Sequence, residues 1–196
     1  LIAVSVDNSH HPDIAPLSAD FTFFGGIYRD VYLVYTSPVQ LSTTHYASSG
    51  VYLKASKITD LQANISVKTF LSNALKSNQS LILETEILDA DGNRVALSAK
   101  KVNVKAGEKN VAFEALMTIT QPKRWDVDSP YIYKVYSRLK NKKEEVLDCV
   151  VNPLGIREYR FDAEKGFFLN GKYRKFPVDG THYVHQHFRS STAGSR

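Results

Sequence analysis

Residues 61–71 read LQANISVKTFL, and this stretch decides the fold class. Apolar side chains occupy most of its odd positions, and polar side chains stand between them. Side chains of a strand point alternately to its two faces, so the pattern predicts a strand with one buried and one solvated face. Similar alternation returns in residues 111–119 and 131–139. Strands of this kind form antiparallel sheets that pack face to face, and the chain is therefore predicted to be all-β.

Turn residues separate the predicted strands. Residues 89–93 read DADGN, and their Asp-Gly pair is a strong hairpin signal. Further turns are predicted at residues 105–110 and 141–144. The resulting pattern of about seven short strands over Val39–Val151 is typical of an immunoglobulin-like or fibronectin-like β-sandwich. Cys149 is the only cysteine, so no intrachain disulfide can join the two sheets.

Composition excludes several classes of partner. The chain has 196 residues, 43% apolar and 23% charged, which is an ordinary globular composition. Its net charge is +5, and eight basic against four acidic residues lie in residues 157–196, so the predicted sandwich is nearly neutral. Nucleic-acid binding is therefore not predicted. No apolar run reaches the length needed to cross a bilayer, so no membrane partner is predicted either. The compartment stays open between cytoplasm and periplasm.

The two flanks do not fit the sandwich. Strand-like pieces at Ile2–Val6 and Ile27–Tyr35 cannot form a stable sheet alone, so this segment is predicted to be the end of a preceding β-domain. Gly166–Gly171 is predicted to form a tight turn. Residues 188–196 show no periodicity and are predicted to be disordered or foreign to the native protein.

Three segments resemble glycoside hydrolase family 2, whose best-known members are β-galactosidases and β-glucuronidases. Gly25–Val34, GGIYRDVYLV, is similar to the segment that closes the family's N-terminal sugar-binding jelly roll. Lys123–Tyr133, KRWDVDSPYIY, is similar to the stretch before a late strand of the family's immunoglobulin-like domain. Leu154–Lys172 resembles the hairpin that leads into the catalytic barrel. Their order is that of the family, and together they cover nearly the whole chain.

The resemblance implies a division of the chain into four parts. Residues 1–36 would be the last strands of the jelly roll, and residues 37–154 the immunoglobulin-like sandwich. Residues 155–187 would be a linker hairpin and the first strand of a truncated (β/α)8 barrel, and residues 188–196 the tail. Family members hydrolyse terminal β-glycosides with retention, using two glutamates about 5–5.5 Å apart. Those glutamates lie on later barrel strands, so no catalytic residue is assigned and the fragment is expected to be inactive.

Asp30 is the first candidate site residue. In β-galactosidases of the family, the matching aspartate contacts galactose hydroxyls and a sodium ion, which implies that Asp30 binds substrate and metal. A carboxylate suits both tasks, because it accepts sugar hydroxyls and ligates hard cations. The alternative is a structural ion pair between Arg29 and Asp30. No cofactor is expected in the fragment, whereas the resemblance allows sodium and magnesium in the parent enzyme.

A histidine cluster supplies the second candidate. The spacing of His182, His185 and His187 would hold a metal if the segment were extended. The resemblance instead matches His185 with a family histidine that helps to bind the sugar, and His182 is a rival for that position. The third interpretation is a set of exposed histidines in an unfolded barrel strand.

Four other residues are assigned ordinary structural roles. Glu84 and Glu86 share one strand face, which we expect to be solvated and not catalytic. Cys149 is expected to be a buried thiol, and Trp125 is expected to pack in the sandwich core.

The leading hypothesis is a fragment of a retaining β-glycosidase that acts on carbohydrate, a β-galactosidase before other specificities. The alternative is a free-standing sandwich that serves as a carbohydrate-binding or adhesion module, with Tyr131 or Tyr133 as its aromatic platform. The sequence does not predict the oligomeric state.

Overall fold

The computed structural model describes residues 2–7, 9, 11–13, 26–27 and 30–175. The chain divides into two units, residues 1–35 and residues 36–196. The described part of the second unit, residues 36–175, contains eleven strands: β1 Val39–Leu41, β2 Val51–Ser56, β3 Gln62–Asn73, β4 Gln79–Leu88, β5 Arg94–Val104, β6 Val111–Thr120, β7 Tyr133–Lys140, β8 Val146–Leu154, β9 Tyr159–Asp162, β10 Gly166–Leu169 and β11 Lys172–Arg174. No helix occurs among the described residues, so the all-β prediction is confirmed.

The first eight strands form two antiparallel sheets. In the first sheet, β3 pairs with β1 and β2 along one edge and with β6 along the other. The second sheet has the strand order β5-β4-β7-β8. The chain leaves the first sheet after β3, returns to it as β6 and leaves again as β7, which is the Greek-key connection of immunoglobulin-like sandwiches.

The core lies between the inner faces of these sheets. On β3, Ala63, Ile65, Val67 and Leu71 are buried as the alternation predicts. The second sheet contributes the buried side chains Leu81, Leu83, Ile87, Val102, Val104, Val135, Leu139, Val150 and Leu154. Leu61 was expected on the same buried face as Ala63, but it is 74% exposed because β3 begins one residue later. A residue of the alternating pattern is therefore buried only where it belongs to the hydrogen-bonded part of the strand.

Two polar side chains of β8 tie one open side of the sandwich together. The Leu41 amide donates to Asp148 Oδ2 at 2.9 Å, and Asn152 Nδ2 donates to Ser49 Oγ at 3.1 Å. Leu41 is fully buried, so its edge-facing amide needs such an acceptor. The acidic residue in the apolar strand β8 therefore satisfies the edge of β1.

The first unit differs from the strand prediction. Its described residues (2–7, 9, 11–13, 26–27 and 30–35) contain no strand, although strands were expected at Ile2–Val6 and Ile27–Tyr35. The large apolar side chains of these described residues are exposed, and Leu33 and Tyr35 are 87% and 99% exposed. A strand requires a hydrogen-bonded neighbour, and the two described pieces do not provide one for each other.

No helix in the described part of the chain is long and apolar enough to span a bilayer.

Candidate functional site

The small sheet β9–β10–β11 is attached to one end of the sandwich by Asn170. The main-chain amide of Asn170 donates to the Glu158 carbonyl oxygen at 2.8 Å, and the side-chain Oδ1 of Asn170 accepts from the Glu158 amide at 3.1 Å. Its Nδ2 reaches across to the Trp125 carbonyl oxygen at 2.9 Å. Asn170 and Gly171 both have positive φ, 49° and 78°. A two-residue hairpin turn requires this conformation, and Asn-Gly adopts it at low cost.

Arg174 reinforces the same contact from β11. Its guanidinium is paired with Asp126, and it also lies 2.8 Å from the Asp128 carboxylate. Partial burial raises the pKa of Asp126, but the hydrogen bond from Asn170 and the positive charge of Arg174 act in the opposite direction. The lowering effects outweigh the burial, so the net pKa lies below its ordinary value. The carboxylate is therefore ionised at neutral pH and fixed in place.

Trp125 lies beneath this contact and not in the sandwich core, where we expected it. Its ring supports the Arg157 guanidinium, 4.7 Å from the ring centroid, and its amide donates to Ile156 O at 2.8 Å. A Cβ added at Gly155 would lie 3.2 Å from three Trp125 side-chain atoms, a tight contact, so the close packing favours glycine. Trp125, Asp126, Arg157, Asn170 and Arg174 are called the junction cluster below. Its groups are paired with one another, so it is suited to holding the hairpin in position.

The sequence contained weak signals for this cluster. The Asn170-Gly171 turn was predicted, but the role of the Asn170 side chain was not. Arg174 was not singled out, although Asp126 and Asp128 lie on the loop that receives it. Only the folded chain brings residues of these two segments together.

Asp30 presents an exposed carboxylate in the first unit. The Tyr32 hydroxyl donates to Asp30 Oδ2 at 2.9 Å, which orients the carboxylate. Among the described residues, no hydrogen bond to Oδ1 is formed. Arg29 lies outside the described residues, so the alternative ion pair stays a prediction. The same is true of His182, His185 and His187, whether as sugar or metal ligands. No group of three metal-ligating side chains occurs among the residues that the structure describes.

Glu84 and Glu86 correct an expectation. Their face is not solvated, since the two side chains are only 19% and 17% exposed. Arg138 of β7 bridges them, with Nη1 3.1 Å from Glu84 and 2.7 Å from Glu86. Lys140 Nζ donates to Glu84 at 2.6 Å, and this bond is the largest cause of the lowered pKa of Glu84. A carboxylate held ionised in this way is a poor general acid, so the pair is structural.

Cys149 lies opposite Arg138 on the outer face of the second sheet. It is half-buried, where a buried position was expected. Burial raises the pKa of the thiol more than Arg138 lowers it. A protonated thiol is a weak nucleophile, so this position is unsuited to catalysis.

Tyr131 and Tyr133 do not form an open aromatic platform. Tyr133 is 2% exposed, and its hydroxyl accepts from the Lys123 amide at 2.8 Å. The Tyr131 hydroxyl accepts from Ala90 N at 3.1 Å, and Lys123 Nζ lies 4.9 Å from its ring centroid. Both rings are therefore covered or engaged inside the protein, which removes the platform suggested by the alternative hypothesis.

Comparison with known proteins gives a consistent result. Residues 48–157 match the model of the glycosyl hydrolases family 2. A β-glucuronidase of Bacteroides fragilis is 36% identical over 181 residues, 91% of this chain and 25% of that protein. The β-galactosidase BoGH2A of Bacteroides ovatus is 34% identical over 175 residues, 89% of this chain and 19% of that protein. The crystal structure of a Bacteroides uniformis β-glucuronidase is 36% identical, with a TM-score of 0.81 over 87% of this chain and 20% of that one. The chain thus spans a quarter or less of the length of these relatives.

Proposed function

This chain belongs to the glycosyl hydrolases family 2, and we propose that it is the immunoglobulin-like domain, with its flanking segments, of a retaining β-glycosidase. The observation that carries this proposal is the junction cluster. It binds the hairpin β9–β11 to the sandwich through side chains 44–48 positions apart in sequence. A rigid hairpin at this point would hold the following polypeptide in a defined direction, as a catalytic domain attached there requires.

The partly buried carboxylates Glu84, Glu86 and Asp126 are not available for glycoside hydrolysis. A retaining glycosidase needs one carboxyl group kept protonated and one ionised, about 5–5.5 Å apart. Glu84 and Glu86 are both tied to Arg138, and Asp126 is tied to Arg174. We therefore propose that the reacting glutamates belong to polypeptide outside this chain and that the chain alone does not turn over substrate.

For the substrate, we propose a terminal β-galactoside before a β-glucuronide. The relatives include both activities, so the choice is argued from Asp30. Its exposed carboxylate could accept hydrogen bonds from galactose hydroxyls, whereas it would repel the carboxylate of a glucuronate at close range. β-Glucuronidase is the second candidate, because the β-glucuronidase of B. fragilis is 36% identical to this chain.

A sodium ion at Asp30 is part of the same proposal. Tyr32 engages Oδ2, and no described residue bonds to Oδ1, which is an oxygen ligand of the kind that hard cations prefer. The ion would hold a sugar hydroxyl beside Asp30. The described residues contain no cluster that would serve magnesium, and no site for that ion is proposed.

The test compares this chain with the product of the open reading frame that contains it. Both are assayed on 4-nitrophenyl β-galactoside and 4-nitrophenyl β-glucuronide. We expect no turnover by the chain alone and preferential turnover of the galactoside by the longer product. Asp30→Asn in the longer product should raise KM for the galactoside. Hydrolysis by the chain alone would contradict the proposal that the reacting glutamates lie outside it. Preference for the glucuronide would favour β-glucuronidase, the second candidate.

A further inference from the structure

An aromatic cluster lies on the outer face of the first sheet, next to the loop between β1 and β2. His45 stacks on Phe70, with ring centroids 3.8 Å apart and an interplanar angle of 16°. Tyr46 meets His45 edge-on, 4.7 Å away at 79°, and Tyr52 meets it at 5.4 Å and 83°. His45, Tyr46, Tyr52 and Phe70 are called the aromatic corner below. Two tyrosine rings thus stand nearly perpendicular to a stacked pair.

The members of the corner differ greatly in exposure. Phe70 is 8% exposed and forms the base, whereas Tyr52 is 38% and Tyr46 is 88% exposed. A tyrosine ring that only supported the fold would be expected to bury its apolar body. The Tyr46 ring therefore offers a nearly complete aromatic surface to the solvent.

The backbone beneath Tyr46 is strained. Tyr46 and Ala47 have φ values of 52° and 51°, in the left-handed region that residues with a Cβ rarely adopt. Ser48 stabilises this loop, because its amide and its hydroxyl both donate to the His45 carbonyl, at 3.1 Å and 2.7 Å. The Gly50 amide donates in turn to Ser48 Oγ at 3.1 Å. Strain retained by such bonds is concentrated at functional positions in proteins, and here its effect is to hold Tyr46 outward.

Hydrogen-bonding groups surround the exposed ring. The Tyr52 hydroxyl lies 2.8 Å from His45 Nδ1 and 2.9 Å from Ser48 Oγ, which fixes the His45 ring. His45 Nε2 and the Tyr46 hydroxyl form no hydrogen bond with any described residue. The corner therefore combines one exposed aromatic surface with two polar groups that no described residue engages.

This combination fits a sugar ring better than a protein partner. A stable protein interface covers about 800 Å² on each side, whereas a single tyrosine offers on the order of 150–250 Å². A pyranose has a patch of C–H groups on its ring face and hydroxyls around its rim. The C–H patch would lie on Tyr46, and rim hydroxyls would bond to His45 Nε2 and the Tyr46 hydroxyl. We propose that the aromatic corner is a binding site for a neutral saccharide, an activity beyond the proposed hydrolysis.

The site can be tested on the chain itself. Methyl β-D-galactopyranoside, β-1,4-galactotetraose and cellotetraose are titrated into the 15N-labelled chain, and amide shifts are followed by NMR. We expect shifts confined to residues 44–52 and 68–70. Tyr46→Ala should weaken binding about tenfold or more, and Tyr46→Phe should retain most of it because the ring remains. Since Tyr46 is exposed, neither variant should impair folding.

Tyr159→Ala is the matched control, because Tyr159 is also an exposed tyrosine (63%) but lies on β9 of the small sheet β9–β10–β11. It should leave saccharide binding unchanged. Absence of shifts up to the solubility limit of all three saccharides would overturn the proposal, as would binding that survives Tyr46→Ala. Hydrolysis is not measured in this experiment, so its outcome is independent of the proposed glycosidase function.

Discussion

The side-chain amide of Asn170 lies 2.9 Å from the main-chain carbonyl oxygen of Trp125, across 45 positions of sequence. This bond crosses from the hairpin sheet to the end of the sandwich. The same side chain accepts a hydrogen bond from the amide of Glu158, the residue that precedes β9. Asn170 thus unites a turn conformation and a tertiary contact in one residue, and the two roles can be separated by mutation.

Asn170→Gly should keep the turn but release the hairpin. Glycine adopts the positive φ readily, so only the side-chain hydrogen bonds are lost, and each unsatisfied group costs about 1–3 kcal/mol. We expect amide hydrogen exchange in β9–β11 to accelerate about tenfold or more, while exchange in β3 and β4 stays unchanged. Equal exchange in the variant and the wild type would show that Asn170 acts only through its backbone.

The junction cluster should weaken in acid. The pKa of folded Asp126 lies below its ordinary value of 3.8, so its stabilising contribution is complete above that value and is lost as the pH falls through the lowered pKa. The side-chain 15N shift of Asn170 reports this event. We expect a transition with a midpoint below pH 3.8 that disappears in Asp126→Asn. A midpoint at or above 3.8 would contradict the proposed pairing with Arg174.

Glu84→Gln should destabilise the sandwich. The substitution removes the charge from a side chain only 19% exposed and leaves Arg138 and Lys140 imperfectly paired. Hydrogen bonds to charged groups contribute about 1.5–3 kcal/mol, so we expect a loss of ~1–3 kcal/mol in urea unfolding. The control is Glu144→Gln in the turn between β7 and β8, an exposed carboxylate whose side chain forms no ion pair or hydrogen bond with the described residues. This substitution should change stability by less than ~0.5 kcal/mol.

Gly50→Ala should be far more damaging than Gly92→Ala. Both glycines have positive φ, 73° and 86°, so both alanine variants suffer the same backbone strain of ~1–2 kcal/mol. At Gly50 the added Cβ would also collide with the Ser42 carbonyl oxygen, whereas at Gly92 it meets open space. In thermal unfolding, Gly50→Ala should have a clearly lower melting temperature than Gly92→Ala. Similar melting temperatures would mean that the loop between β1 and β2 shifts to accommodate the added Cβ at little cost in free energy.

The parts that followed from sequence were those governed by local pattern. Alternation in residues 61–71 predicted β3 and its buried face, and the Asp-Gly turn of residues 89–93 joins β4 to β5 as expected. Three motifs were enough to recognise the family that residues 48–157 confirm. Asp30 was singled out in the same way, and its substrate and sodium roles stay predictions.

The partners of charged and aromatic residues required the folded chain. The expectation of a solvated face at Glu84 failed because the antiparallel register of β4 and β7 places Arg138 directly opposite it. Trp125 was expected in the core, but the packing of Gly155 and Arg157 holds it at the junction. The aromatic corner also depends on a long-range neighbour, since Phe70 of β3 supports His45 of an earlier loop.

The physical reason is the separation in sequence over which each kind of interaction acts. The period of a strand and the conformation of a turn are set by adjacent residues, so the sequence alone was sufficient for the sandwich class and its hairpins. Pairing across sheets depends on register and packing between residues tens of positions apart, which no local pattern encodes. The junction cluster and the aromatic corner are of this second kind, and tertiary structure alone brought their members together.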